Sequence, residues 1–182
     1  MEEYARRILK TIWVADDSGF EGLLKDGFDF ALRYFVFILA LYVSIAFAVE
    51  FLLTQDLDES LIAAGVFLFG ETIILLGFLP IVTHIIVQAF GSERNLKDTI
   101  QVYIYGSTPS FVFGWIPCIG AVAPLVALAN IFRGIRKIHK LNFWQTASAV
   151  LLPWLLILIG LIAIIIYYLY NYIGLAIGLC LF

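Results

Sequence analysis

Apolar residues in this chain run in long stretches, separated by short polar loops. The run lengths are those of membrane-crossing helices. Between Tyr34 and Thr54 only Glu50 is charged, which makes Arg33–Thr54 the first predicted span. A short acidic loop, Gln55–Glu59, follows. Ser60–Phe90 is an apolar stretch of 31 residues, interrupted by Glu71, Gly77-Phe78-Leu79-Pro80, His84 and Gln88. A hydrocarbon core of about 30 Å needs about 20 helical residues, so this second span must tilt, kink at Pro80 or protrude. Thr99–Phe113 is the third span, turned by Gly114-Trp115-Ile116-Pro117, and Cys118–Phe132 is the fourth. Asn142, with Gln145 three residues on, predicts a helix N-terminus. No charged residue follows between Phe143 and Phe182. A helix of that length is ~60 Å long, so the fifth span must bend, project or fold back. Tyr167, Tyr168, Tyr170 and Tyr172 form an aromatic belt that places its outer boundary. The tail from Ile173 to Phe182 is then expected along the interface or against a neighbour.

Ahead of the spans, Ala5, Ile8, Leu9, Ile12 and Trp13 recur at helical spacing, opposite Glu2, Glu3, Arg6, Arg7 and Lys10. This is an amphipathic helix. Its apolar side, with Ile8, Ile12 and Trp13, lies either in the membrane surface or on the protein's own cytoplasmic face, and the two are compatible. The pattern predicts an all-α polytopic membrane protein, a five-helix transmembrane bundle with an N-terminal amphipathic interfacial helix. Residues 1–30 form the cytoplasmic amphipathic segment, and residues 31–182 the five-span domain.

Composition agrees. Hydrophobic residues are 63% of the 182 and charged residues 14%, with a mean hydropathy of +1.00. Soluble domains carry about 45–50% and about 25%, so a water-exposed fold is excluded. The net charge of −3 leaves no basic footprint for nucleic acid. The distribution of charge says more than its sum. All 11 Lys and Arg fall at Arg6, Arg7, Lys10, Lys25 and Arg33, at Arg94 and Lys97, or at Arg133, Arg136, Lys137 and Lys140. With five spans those three places share one side. The positive-inside rule makes it the cytoplasm, with the N-terminus inside and the C-terminus outside.

Candidate chemistry is sparse. No H-E-x-x-H, G-x-S-x-G or phosphate-loop pattern occurs, and no aspartate cluster that would hold a cation, so the chain reads as a non-enzyme without cofactor or metal. His84 and His139 fall near the cytoplasmic boundary with no Cys or Asp at ligand spacing, and read as interfacial residues. Cys118 and Cys180 are expected to stay free thiols, since bonding would require the tail to fold back. The positive signal is depth matching. Glu71 lies ~16 Å and Asn130 ~18 Å from the outer side at the helical rise. Ser107 and Thr108 also fall near mid-membrane, and Ser44 lies at comparable depth. An ionisable group there costs at least ~2.5–3.5 kcal/mol and by default marks function. Glu71 is expected to be protonated or hydrogen-bonded to Asn130, Ser107 or Thr108. The layer is either a functional site or a packing contact made by a neutral carboxylic acid. Pro80, Pro109, Pro124 and Pro153 put one proline in each of spans two to five, freeing backbone carbonyls that the bundle must satisfy.

The stretch from Thr99 through Tyr105-Gly106-Ser107-Thr108-Pro109, then Gly114-Trp115-Ile116-Pro117-Cys118-Ile119-Gly120 and Ile135–Lys140, resembles the Yip-one domain family of Ypt/Rab-interacting membrane proteins. His84, the Gly91-Ser92 turn, Asn142–Ala147 and the leader Phe20–Gly27 fit the same pattern, over roughly residues 20–170. The resemblance implies five spans and a cytoplasmic N-terminus. For eukaryotic members it implies early secretory traffic, with small GTPases of the Rab type and other family members as partners. This chain has neither their long N-terminal region nor their Asp-Leu-Tyr-Gly-Pro type motif. It is more similar to the archaeal or bacterial branch, which places it in a prokaryotic cytoplasmic membrane. For that branch the resemblance supplies no catalytic residues and no GTPase partner. Two functions remain open. One is a membrane scaffold or adaptor whose partners are the lipid bilayer and copies of itself or other membrane proteins. The other is a small channel or transporter built on the layer around Glu71, although no inverted repeat is evident.

Overall fold

The structure, a computed structural model, describes residues 8, 11, 22, 23, 25, 27–116 and 118–180, with side chains as far as 170. Within these residues every element is helical. Helix α1 is Phe28–Thr54, α2 Leu57–Thr72, α3 Leu79–Ala89, α4 Leu96–Gly106, α5 Thr108–Phe113, α6 Ile119–Ile138 and α7 Phe143–Cys180. A π-helical segment, Ile73–Phe78, joins α2 to α3. Four helices are long and apolar enough to cross a membrane: Phe28–Thr54, Leu57–Ala89, Ile119–Ile138 and Phe143–Tyr170.

Local chemistry sets the helix ends. Asp56 caps α2 by accepting from the amides of Asp58 and Glu59 at 2.9 and 3.1 Å, which closes a tight α1–α2 hairpin. Gly91, at φ +87°, ends α3. Its amide reaches the Gln88 carbonyl and that of Ser92 the Val87 carbonyl, a Schellman stop. The expected start of α7 is a reciprocal box. The Gln145 amide donates to Asn142 Oδ1 at 2.9 Å, and the Asn142 amide to Gln145 Oε1 at 3.1 Å.

Proline decides the interiors. Pro80 cannot donate to the Leu76 carbonyl. The chain widens just before it, and the Leu79 amide reaches back five residues to Ile74. The 33-residue helix Leu57–Ala89 therefore stays continuous. Pro109 acts differently. The predicted third span, residues 99–113, is broken at Ser107 into α4 and α5, so neither half is long enough to span alone. Pro109 stands in the first turn of α5, where no amide is needed.

The broken pair is the centre of the molecule. Val102, Tyr103, Ile104 and Tyr105 are fully buried. Helix α4 packs on α1, α3 and α6, and α5 packs on α6 and α1. Gly106 explains how closely α4 meets α6. A Cβ there would lie 2.6 Å from Ile131 Cγ1 and 3.1 Å from its backbone nitrogen. The outer faces of α1, α2, the π-helical segment and α7 expose Leu52, Leu53, Ile62, Phe69, Ile73 and Ile165. In water that surface would be untenable; in lipid it is solvated.

Helix α7 is continuous past Pro153 and runs through the tyrosine belt to Cys180. Cys118 is exposed and unbonded, while the side chain of Cys180 lies outside the described residues. Of the predicted surface helix, Ile8 is helical and half-buried against the core. Ile12 and Trp13 lie outside the described residues.

Two glycines test this packing. Gly106→Ala should lower stability by about 1–3 kcal/mol, because a helix backbone must move. Gly65→Ala, where nothing lies within 4 Å, should raise it by up to about 1 kcal/mol through helix propensity. Thermal unfolding in one detergent reads both. Equal melting temperatures for the parent and Gly106→Ala would refute the close approach.

Candidate functional site

The structure collects buried polar side chains in four places. The first is at the helix ends that carry the basic residues. The Schellman turn after α3 delivers Ser92, whose Oγ lies 2.6 Å from His139 Nδ1. His139 Nε2 lies 3.1 Å from Thr99 Oγ1, and Thr99 Oγ1 lies 3.0 Å from His84 Nδ1. Thr99 is 0% exposed, His84 7% and His139 5%. One hydroxyl thus stands between two imidazoles. It has a single proton, so with both rings neutral it donates to one and accepts from the other. The Arg94–Asp98 pair, 3.9 Å apart, lies across the same loop. Both histidines, expected near the cytoplasmic boundary, are joined in one buried chain.

The second group lies deeper. Tyr34 OH is 2.9 Å from Thr108 Oγ1 and 3.3 Å from Thr11 Oγ1. Asn130 Nδ2 donates to the Thr11 carbonyl at 3.2 Å. Thr11 is fully buried, so the N-terminal segment is tied into the bundle at this point. The third group joins α3, α4 and α7. Thr83 Oγ1 lies 2.6 Å from Tyr103 OH and donates to the Ala149 carbonyl at 3.1 Å.

The fourth is a cavity of about 290 Å³, bounded by Glu71, Ser107 and Ser110 with the rings of Tyr42, Phe111 and Trp154. Gly114 and Gly120 form one end of it. A Cβ on Gly120 would lie 2.4 Å from the Gly114 carbonyl oxygen, so the α5–α6 turn closes only over glycine. Cys118 in that turn has φ +68° and ψ −48°, a rarely populated conformation.

The predicted mid-membrane layer is therefore divided. Glu71 and Ser107 share the cavity. Thr108 and Asn130 bond to Tyr34 and Thr11. Ser44 donates to the Ala40 carbonyl of its own helix at 2.7 Å. Sequence reasoning missed Thr11, Tyr34, Thr83 and Thr99, because lone hydroxyls on apolar helices give no signal of their own. The motif residues have packing roles. The Tyr105 ring lies 5.3 Å from that of Tyr34. Gly106 admits α6, Pro109 starts α5, and Gly114 and Gly120 close the turn. Pro117 lies outside the described residues.

A family model described as the Yip1 domain matches residues 10–165. The chain belongs to the Yip1 domain family. Neither a curated protein nor a solved structure matches it. The Yip1 match takes in all four polar groups and ends inside α7, which continues to Cys180. It identifies a membrane protein of the Yip1 family.

The histidine chain predicts a pH response. Burial, then the neighbouring His84 and Arg94, pushes the His139 pKa down from 6.5 to about 4. Below pH 6.5 the unfolded chain takes up a proton that the folded protein refuses. Stability should thus fall as pH drops from 6.5 to about 4, and level off below that, by up to roughly 3 kcal/mol. Thermal unfolding of the parent and of His139→Gln across this range checks it. An identical slope in both proteins would show that His139 does not carry the response.

Proposed function

We propose that this Yip1 family protein is an integral membrane scaffold that assembles with copies of itself through its spans. The observation that carries the reading is the end of α7. From Leu158 to Tyr170 every described side chain is exposed, so the helix has left the bundle on all sides. At 38 residues it is about 57 Å long, nearly twice the hydrocarbon core. A helix whose far half does not pack on its own bundle, and whose length does not match the bilayer, offers that half to a neighbour. It fits a partner helix better than it fits a solitary anchor.

The topology we propose has five crossings, with the buried α4–α5 pair as the third. The side carrying the basic residues faces the cytoplasm, the N-terminus is inside, and the C-terminus is outside in a prokaryotic cytoplasmic membrane. Residues 1–30 form the cytoplasmic segment and residues 31–182 the spanning domain. Support comes from the gathering of Lys97, over the Phe28 ring at 5.5 Å, with the Ser92–His139 contact at one end of the bundle. The scaffold needs no catalysis, and no group of three or more His, Cys, Asp or Glu side chains that could hold a metal occurs among the described residues.

A small channel or transporter is the second reading, favoured by the cavity that Glu71 and Ser107 share. Two measurements on proteoliposomes separate the two. Energy transfer between differently labelled copies should persist on lipid dilution and vanish when residues 166–182 are removed. Transfer that falls to the random-encounter level in the parent refutes the scaffold. An ion or proton flux present in the parent and lost in Glu71→Gln would establish the transporter instead.

A further inference from the structure

The Glu71 cavity, on which the transporter reading rests, has a chemistry that points to a class of ligand. Its polar side chains are one carboxyl, that of Glu71, the hydroxyls of Ser107, Ser110 and Tyr42, which can donate or accept, and the Trp154 indole N–H. No Lys, Arg or His lines the space. A further acceptor comes from the backbone. Pro124 has no amide to give the Gly120 carbonyl, and both residues line the cavity. The remaining wall is aromatic and aliphatic, with Tyr42, Phe111 and Trp154 offering ring surfaces.

The position is as distinctive as the composition. The π-helical segment begins two residues after Glu71, and its Leu75 lines the cavity. Such segments, here set by Pro80, are frequent at functional sites. Trp154, which lines the cavity from α7, and Gly114, in the α5–α6 turn, are both exposed, so the cavity reaches the surface of the bundle.

We propose that this cavity is a binding site for a small organic ammonium ion with an apolar body. The ammonium would be held by Glu71 and the neighbouring acceptors, and the body by the rings. Three comparisons select this class. A bare proton or a metal ion would leave about 290 Å³ of mostly apolar space unfilled. A lipid tail would fill it but would strand the carboxyl and the carbonyl against hydrocarbon, which is costly. A protonated amine satisfies the acceptors, and aromatic faces attract its charge. The volume lies at the small end of ligand sites, about 300–1,000 Å³, so the ligand is small. The proposal does not depend on self-assembly.

The experiment uses the full chain in nanodiscs, with empty nanodiscs subtracted. Phenethylammonium is the probe and 2-phenylethanol its neutral counterpart, followed by ligand-detected NMR. Saturable binding of the amine is expected, without competition from the alcohol. Glu71→Gln should weaken it by about tenfold or more, and Glu71→Asp, which keeps the charge, should restore most of it. Tyr42→Leu should also weaken it, and decides the matter if Glu71→Gln fails to fold. No saturable binding, equal competition by the alcohol, or full affinity in Glu71→Gln or in Tyr42→Leu would each overturn the proposal.

Discussion

A backbone amide or carbonyl carried into hydrocarbon has no water to turn to, and leaving it without a partner costs several kcal/mol. This chain meets that constraint while carrying prolines within its helical stretches. The structure gives different solutions. Before Pro80 the helix widens by a π turn, and the Leu79 amide finds Ile74. At Pro109 the helix stops and restarts, and the break is placed where α1, α3 and α6 enclose it. The residues flanking that break are among the most buried in the protein. Irregular backbone is tolerated at membrane depth only where protein surrounds it, and the fold is arranged around that requirement.

Hydroxyl and imidazole groups then hold the bundle together. Lipid is as apolar as Leu, so burial of apolar surface does not drive helices together there, and close packing and hydrogen bonds must do it. Gly106 supplies close packing between α4 and α6. Thr83, Thr99 and Thr108 each link helices through a side-chain hydrogen bond. These contacts sit at successive levels from the basic end inward. They leave the Glu71 side of the bundle open, where the glycine turn after α5 and the proline of α6 bound a cavity.

The Yip1 family motif acquires a physical meaning in this arrangement. Its glycines allow two close backbone approaches, its proline starts α5, and its Ser-Thr pair feeds two different polar groups. These are requirements of packing and of cavity shape. They account for a recognisable sequence pattern.

Whatever depends on counting along one axis was legible in the chain of residues alone. Run lengths gave the helical hydrophobic segments, Asn142 and Gln145 gave the start of α7, and Pro80 and Pro109 gave the points of irregularity. Depth is also a count along the helix, so Glu71 and Ser107 were legible as candidates for one site. Azimuth was not legible. Adjacent helical residues point about 100° apart. Ser107 therefore lines the cavity with Glu71 while Thr108, its neighbour, turns to Tyr34. Asn130, expected beside Glu71, instead donates to the Thr11 carbonyl, on a face of α6 that also packs Ile131 against Gly106. The pairing of His84 with His139 through Thr99 joins residues 15 and 40 positions apart. No local pattern encodes such a meeting. It exists only once three helices have been packed, and packing depends on side-chain shapes that a one-dimensional reading does not carry.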